Sequence, residues 1–395
     1  MKKILFVNGS YNEIPLIKAA KKLGYFVITS GNDPHGEGHK YSDKYCPCDY
    51  SNKEAILEVA KKEQVDAVCS CGNDFGAISS SYIAEKMNLP GHDTLKNAKI
   101  FHEKDEFKKM VEELNLPSPK TYSFTDLDKA LEHIKKCEFP QIIKPVDLGG
   151  GKGISISRNI DEGVDGVINA FKASKVKHVV IEDYIEGEQM AYICFIKDEK
   201  VVWSYLTNDY SYLNPFMVWF DARVSKSTSN KLIPVIRDDV NKMSKFCHVA
   251  DGFLTIQLMV KNGKPYYLET MRRCLGNYHY YVISKDIGVD MYEWFVANEC
   301  GLDTSKYINA LVDKDIMSGF MGIYADHNGT INRVIIDEEF QKLCFDKLML
   351  NEKDYVVDDY LHDKLGMVFF TFNNDEEREY FLNKRMSLFK VEYKK

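Results

Sequence analysis

No run of this 395-residue chain approaches the ~18 consecutive apolar residues of a membrane-spanning helix, so a membrane role is not expected. The apolar stretch in Met1-Lys-Lys-Ile-Leu-Phe-Val-Asn-Gly9 is too short for a secretory signal and has no cleavage site, so export is not expected either. Basic side chains are not in excess: 59 acidic residues outnumber 52 basic ones, which argues against a nucleic-acid partner while allowing a local cationic pocket. Among the ten cysteines, Cys46-Pro-Cys48 and Cys69-Ser-Cys71 lack the C-x₂₋₄-C spacing of structural zinc. Without a signal, the cysteines read as reduced thiols of a cytoplasmic protein. Internal repeats and low-complexity tracts are absent.

The chain is long enough for two or three domains with real cores, and its 45% hydrophobic and 28% charged residues are ordinary for a globular protein. The most informative stretch is Gln141-Ile-Ile-Lys144-Pro-Val-Asp-Leu-Gly149-Gly150-Gly151-Lys152-Gly153. An apolar strand delivers a lysine, and five residues later the chain is almost pure glycine. Glycine lets backbone N–H groups turn toward a ligand, and a lysine adds a point charge suited to phosphate. Two familiar phosphate motifs do not fit. A Walker loop would need glycine at Val146 and Ser or Thr at Gly153, and the dinucleotide fingerprint would need glycine at Ile156. An ordinary glycine-rich hairpin loop remains the alternative.

Along the chain, Lys3–Asn8 reads as a buried parallel strand, Ile14–Leu23 as a helix stopped at Gly24, and Tyr25–Thr29 as the next strand. Helix 53–63, strand 65–71 and a helix opening at Asn73-Asp74-Phe75-Gly76 continue a strand–helix alternation, which implies a right-handed parallel sheet of Rossmann type. Its strand-end loops at 9–12, 31–36 and 72–76 would gather on one edge, where ligands usually sit. A helix is expected to begin at His102-Glu-Lys104, and Leu116-Pro-Ser-Pro119 breaks it. Strands 140–145 and 154–158 would flank the glycine loop as a hairpin, strand 178–182 follows, and 190–210 reads as a second hairpin turning at Lys197–Lys200. Lys261-Asn-Gly-Lys264 joins strands 253–260 and 265–270 by a tight turn. The stretch 311–395 is strand-rich and ends in a helix starting at Asp375.

Two further blocks follow the glycine loop: His178-Val-Val-Ile-Glu182-Asp183-Tyr184-Ile185-Glu-Gly-Glu188-Gln189, and Asp251 through Gln257 and Glu269 to Met271-Arg272-Arg273. In their order and spacing these blocks resemble the ATP-grasp superfamily, which includes biotin carboxylase, carbamoyl-phosphate synthetase, D-alanine–D-alanine ligase and the L-amino-acid ligases. The resemblance runs from Lys3 to about residue 390. It implies a mixed α/β and α+β chain. A Rossmann-like domain (1–95) would lead into an ATP-grasp domain (96–310) with a mobile lid at about 118–185, then a small β-rich C-terminal module (311–395).

The resemblance also implies roles. Lys104 and Lys144 correspond to the two lysines that contact ATP phosphates, and Gly149, Gly150, Gly151 and Gly153 to the flap over the triphosphate, with Lys152 as an auxiliary charge. Glu182, Asp183, Tyr184 and Ile185 occupy the linker whose backbone meets the adenine edge. Gln189 stands where a ribose-binding glutamate is usual, with Glu188 beside it; glutamine still accepts a hydrogen bond. Gln257 and Glu269 keep the twelve-residue spacing of the Mg²⁺ ligands. Position 271 departs from the pattern, with Met where relatives have Asn. Magnesium prefers oxygen ligands, so the cation should be held less tightly. Arg273 matches an arginine that stabilises the acyl phosphate, and Arg272 is an extra cation beside it.

Lys104 could instead be a solvated helix residue among Lys108 and Lys109, and Glu182 and Glu188 could be plain exposed acids at strand ends. His279 reads as a general base or a structural histidine, and Arg223 could reach the same pocket. The run Tyr205, Tyr210, Tyr212, Phe216, Trp219 and Phe220 is either packing between lobes or the wall of a ring-binding pocket. The activity implied is ATP-dependent ligation with Mg²⁺, in which a carboxylate is activated as an acyl phosphate and captured by an amine. Alternatives are phosphorylation of bicarbonate or formate, and a catalytically silent nucleotide sensor or scaffold. No Met-Lys-Met biotinyl motif occurs. Relatives are often homodimers, and no segment here locates an interface.

Overall fold

The computed structural model describes residues 1–70, 72–148 and 151–394. Gly149 and Gly150, two of the expected flap glycines, lie outside the described residues.

The first layer is a four-stranded parallel sheet ordered Lys44–Tyr45, Phe26–Thr29, Lys3–Phe6, Ala67–Cys69. Both faces of its central strand are buried, so the strand reads as a continuous apolar run. Leu5 and Val7 pack with Ile28, Ile56 and Val68 on one side. Ile4 and Phe6 enter a larger core with Ile17, Trp294 and Phe295 on the other. The helix Met291–Glu299 between this sheet and the next is buried at every position, so it carries no amphipathic stripe.

An eight-stranded sheet dominates the rest, ordered Lys264–Met271, Gly252–Lys261, Glu188–Lys197, Lys200–Ser211, Val218–Arg223, Met317–Tyr324, Lys364–Phe372, Cys344–Met349. All its pairings are antiparallel. The two expected hairpin turns form where Asp198–Glu199 and Asn262–Gly263 adopt positive φ. Three strands from beyond residue 310 extend this sheet, which therefore runs across the boundary expected there. A four-stranded sheet, ordered Thr121–Phe124, Val179–Asp183, Gln141–Pro145, Ser155–Ser157, carries the glycine loop between its last two strands.

The sequence reading differs from the fold at two helices. His102 does not begin a helix: it ends Leu95–His102, and a new helix, Lys104–Glu113, starts after the extended Glu103. The 22-residue helix Lys226–Cys247 was not expected. Pro234 lies inside it, and proline there normally breaks a helix. Burial of Leu232, Ile236, Val240 and Met243 along one stripe against the sheet offsets that cost.

Candidate functional site

A cleft of about 340 Å³ opens between the glycine loop, the large sheet and the first parallel layer. Strand alternation puts Glu269 and Met271 on its floor, Arg273 follows just beyond the strand's end, and Gln257 is paired opposite Glu269 across the hairpin. Residues directly opposite in an antiparallel pair share a face, so both side chains lie on the cleft side. Lys104, at the first position of its helix, reaches the same floor, its Nζ 3.3 Å from Glu269 Oε2. The Glu269 carboxylate raises the Lys104 ammonium, which stays charged against the burial that opposes it.

The glycine loop closes the roof. Gly151 and Gly153 have φ of +77° and +72°, the left-handed region that favours glycine. A Cβ on Gly151 would stand 2.6 Å from Phe216 Cβ, so the loop lies directly against the turn between two large-sheet strands. Phe216 is the member of the aromatic run that lines the cleft. Tyr210, Tyr212, Trp219 and Phe220 pack into the core shared with the C-terminal strands, and Tyr205 packs with Trp203.

Beneath the roof, Glu182 is buried at the end of its strand and gathers two lysines. Lys144 Nζ donates to its Oε2 at 2.7 Å, Lys108 Nζ stands 3.7 Å from its Oε1, and Thr121 Oγ1 donates to Oε1. Two of the alternatives fall away: Glu182 is not an exposed strand-end acid, and Lys108 is not a solvated neighbour of Lys104. Lys108 follows Lys104 by one helical turn on the same inward face, and its Nζ also donates to Ser118 Oγ and the Tyr267 carbonyl. The i, i+4 spacing was the signal that could have found it. Burial opposes the Glu182 charge, yet Lys108 and Lys144 hold its carboxyl down to about 2. Burial also pushes Lys108 down to about 8 despite Glu182. What the carboxylate gains is thus partly offset at the ammonium.

Arg273 donates from Nε to Asp74 Oδ1 at 2.8 Å, and Asp74 opens the helix after the fourth parallel strand. His102 joins the pair: its Nε2 accepts the Arg272 backbone N–H at 3.2 Å, so Nδ1 carries the hydrogen donated to Asp74 at 2.9 Å. Burial alone would raise the Asp74 carboxyl, but Arg273 and His102 hold it far below the usual range. The pairing of Asp74 and His102 with Arg273 was not anticipated, because these groups meet only when the first sheet docks on the second.

Arg272 is a correction. Its side chain points away from the cleft, and there Nε donates to Asp93 Oδ2 at 2.6 Å and Nη2 to the Ala250 carbonyl at 2.7 Å. It lines a separate small hollow and is absent from the cleft lining. Arg223 is elsewhere too, paired with Asp313 at 2.6 Å in a larger hollow of about 660 Å³ that holds none of the expected ATP or Mg²⁺ residues.

Asp183 accepts from Gln141 Nε2, the Tyr184 N–H donates to the Pro140 carbonyl, and Ile185 follows in the turn to the next strand. Glu188 is exposed, Gln189 is half-buried beside Asp209, and Lys152 is exposed on the loop. None of these six lines the cleft.

The sequence reading missed Lys364. It comes from a C-terminal strand into the cleft, where its ammonium donates to Asn277 Oδ1. Burial pushes it down to about 8. His279 also lines the cleft, buried, with Nδ1 donating to the Gly276 carbonyl at 2.7 Å.

Residues 102–214 match the phosphoribosylglycinamide synthetase ATP-grasp (A) domain family. That match covers the segment carrying Lys104, Lys144 and the glycine loop, and over its whole length the chain shares the fold of the solved structures below. A curated relative is the carbamoyl phosphate synthase large chain of Clostridium beijerinckii, 24% identical over 72% of this chain. The match spans 26% of that relative's length. Among solved structures, the L-amino acid ligase of Bacillus licheniformis superposes with a TM-score of 0.83 at 16% identity, covering 100% of this chain and 99% of that one. The biotin carboxylase domain of Hydrogenobacter thermophilus 2-oxoglutarate carboxylase, in complex with MgADP, ADP and bicarbonate, gives 0.74 at 18%, covering 99% and 90%. The ATP-grasp architecture is shared with both. Among the described residues no helix is long and apolar enough to cross a membrane.

Two outcomes test this geometry. Glu182 has a folded pKa below its unfolded value, so its contribution is complete above about pH 4.5 and is lost as pH falls toward about 2. Glu182→Gln should therefore be less stable than wild type at pH 7, by about 3 kcal/mol, because two buried ammoniums lose their counter-charge. The gap in urea midpoints should close between pH 4.5 and 2.5. Gly151→Ala should weaken ATP binding by about tenfold in calorimetry, since the left-handed backbone and the Phe216 contact both disfavour a Cβ, at a cost of about 1–2 kcal/mol.

Proposed function

We propose that this chain is an ATP-dependent ligase that activates a substrate carboxylate as an acyl phosphate and passes the acyl group to an amine, releasing ADP and phosphate. The observation that carries the reading is the convergence of Lys104, Gln257, Glu269, Arg273 and the Gly151 loop on one cleft. Amide and carboxylate oxygens stand beside cations there, the donor set a metal–polyphosphate needs.

The residues present fit ATP and Mg²⁺. Gln257 and Glu269 offer one amide and one carboxylate oxygen, which suits a hard cation that shares its shell with phosphate. Gly151, on the cleft lining with φ of +77°, presents backbone rather than a side chain to a ligand there. Bound Mg²⁺ would supply charge neutralisation on the transferred phosphoryl group. Lys104 is held charged beside Glu269 and would face the phosphates. Lys144, oriented by Glu182, would add the second cation. Arg273, fixed by Asp74, would stabilise negative charge developing at the carboxylate. Catalysis of this kind is mostly positioning, and the chain supplies it without a protein nucleophile.

The far end of the cleft suits the acceptor. Lys364 and Asn277 meet there, and an ammonium pushed down to about 8 is neutral often enough near pH 8 to take a proton from an attacking amine. Carbamoyl phosphate synthase relatives give the bicarbonate-phosphorylating alternative its support.

An ADP-release screen across amino acids, sugar acids and labelled bicarbonate, with Lys104→Ala as the blank, tests the reading. ADP release dependent on both a carboxylic acid and an amine is the expected result. Bicarbonate-dependent release alone would favour the alternative, and ATP binding without turnover on any substrate would exclude catalysis. With a substrate found, kcat should rise with pH through about 8 in wild type, whereas Lys364→Met should lose that limb and fall by about 10²-fold at pH 9. Met271→Asn should lower the Mg²⁺ concentration for half-maximal rate, because it adds an amide oxygen beside Glu269; an unchanged requirement would place residue 271 outside the metal's shell.

A further inference from the structure

Asp209 and Asp221 face each other directly across adjacent antiparallel strands. Like charges in that position repel, and both residues are buried, Asp221 completely. Both Asp221 carboxylate oxygens and Asp209 Oδ1 lack a hydrogen-bond partner among the described residues. The third member of the group is His279, whose Nε2 stands 3.8 Å from Asp221 Oδ2. The Gly276 carbonyl can only accept, so the bond at 2.7 Å places the ring hydrogen on Nδ1. In the neutral ring, which burial favours, Nε2 then aims a lone pair at two carboxylates. Three electron-rich donors converge with no lysine or arginine in ion-pair contact with either carboxyl among the described residues, and the Arg378 guanidinium acts on Asp221 only from farther off. The nearby Gln189 amide reaches Asp209 from the side, and Lys364 is engaged by Asn277.

We propose that Asp209, Asp221 and His279 form a binding site for a borderline divalent cation of the Mn²⁺ or Zn²⁺ class, distinct from the Gln257–Glu269 pair. One ligand atom from each lies within 4.8 Å of the others. Bonds of about 2.0–2.2 Å at tetrahedral angles need donors about 3.4 Å apart, a small closure from this arrangement. An imidazole nitrogen beside two carboxylates selects against Mg²⁺, which prefers an all-oxygen shell. The Nδ1–H bond to a backbone carbonyl is the arrangement that fixes a ligating histidine's tautomer and orientation. Asp209 and His279 both line the cleft, so a fourth coordination position opens toward the acceptor end, where a substrate oxygen or nitrogen could complete the shell. The inference concerns cation binding without nucleotide and stands apart from the ligase reading.

Chelator-stripped protein titrated with Mn²⁺ in the absence of nucleotide, with free Mn²⁺ read by electron paramagnetic resonance, tests the site. Glu269→Gln serves as the background, so that the Gln257–Glu269 pair does not contribute. One bound Mn²⁺ per chain is expected, with affinity falling by about tenfold or more when Asp221→Asn or His279→Gln is added. Mn²⁺ avoids the confusion that cysteine thiols would bring to a Zn²⁺ titration. Absence of binding up to on the order of 1 mM, a weak-site limit, would overturn the proposal and leave a proton shared by the two carboxyls as the group's counter-charge. Binding that survives within about twofold in both variants, far short of the loss expected for a ligand, would overturn it equally. If Asp221→Asn does not fold, His279→Gln carries the comparison, with unchanged urea midpoints confirming its fold.

Discussion

A single buried carboxylate, Glu182, governs where the cations around the cleft can stand. Without it, Lys108 and Lys144 would be two ammoniums facing each other in a place water barely reaches, and burial would strip one of its proton. With it, both chains of methylenes pack inward and both charged ends are fixed. One comes from the helix before the glycine-loop sheet and the other from a strand of that sheet. The carboxylate therefore ties the helix Lys104–Glu113 to the sheet that carries the glycine loop. The tie depends on low exposure at both ends, since the same pairs in solvent would be worth a few tenths of a kcal/mol.

Arg273 and Asp74 make the corresponding tie between the floor and the first parallel sheet. Asp74 sits at a helix N-terminus, where the unsatisfied N–H groups already favour a negative charge, and it keeps a rigid anchor for the guanidinium. His102 completes the arrangement by bonding Asp74 and the Arg272 backbone at once. Three segments far apart in sequence thus position one arginine. Just past the end of the Lys264–Met271 strand, two adjacent arginines divide labour: Arg273 faces the cleft, and Arg272 locks the interior through Asp93 and two carbonyls.

What was legible in the chain depended on whether the physics was local. The Asn262-Gly263 turn, the stop at Gly24 and the alternation of buried strands with helices are decided by neighbouring residues, and they read directly. Gln257 and Glu269 could be paired because a tight hairpin sets their register by counting. The buried partner of Lys144 lies 38 residues away. Lys364 enters through a strand order in which C-terminal strands join the large sheet. The juxtaposition of Asp209 with Asp221 follows from a register with a bulge at Tyr210/Ser211, which no spacing announces. Pro234 shows the opposite failure, a local signal overridden by a buried stripe.

The cleft's charge pattern gives the last step. At one end Lys104 stands beside Glu269, with the buried Lys144–Glu182–Lys108 group near enough to act on both. At the other end Asp209, backed by the buried Asp221, lines the cleft together with His279, Asn277 and Lys364. A polyanion entering this cleft is attracted to the first, whereas burial raises both carboxyls at the second and favours their neutral forms. The second end is left for a group that is cationic or able to hold a cation. The two ends are separated by little more than the width of the Glu188–Lys197 strand, since Ala191 stands beside Gln257 on one side and Thr207 on the other. A small side chain at that position lets both ends share one volume, and a large residue there would divide the cleft in two.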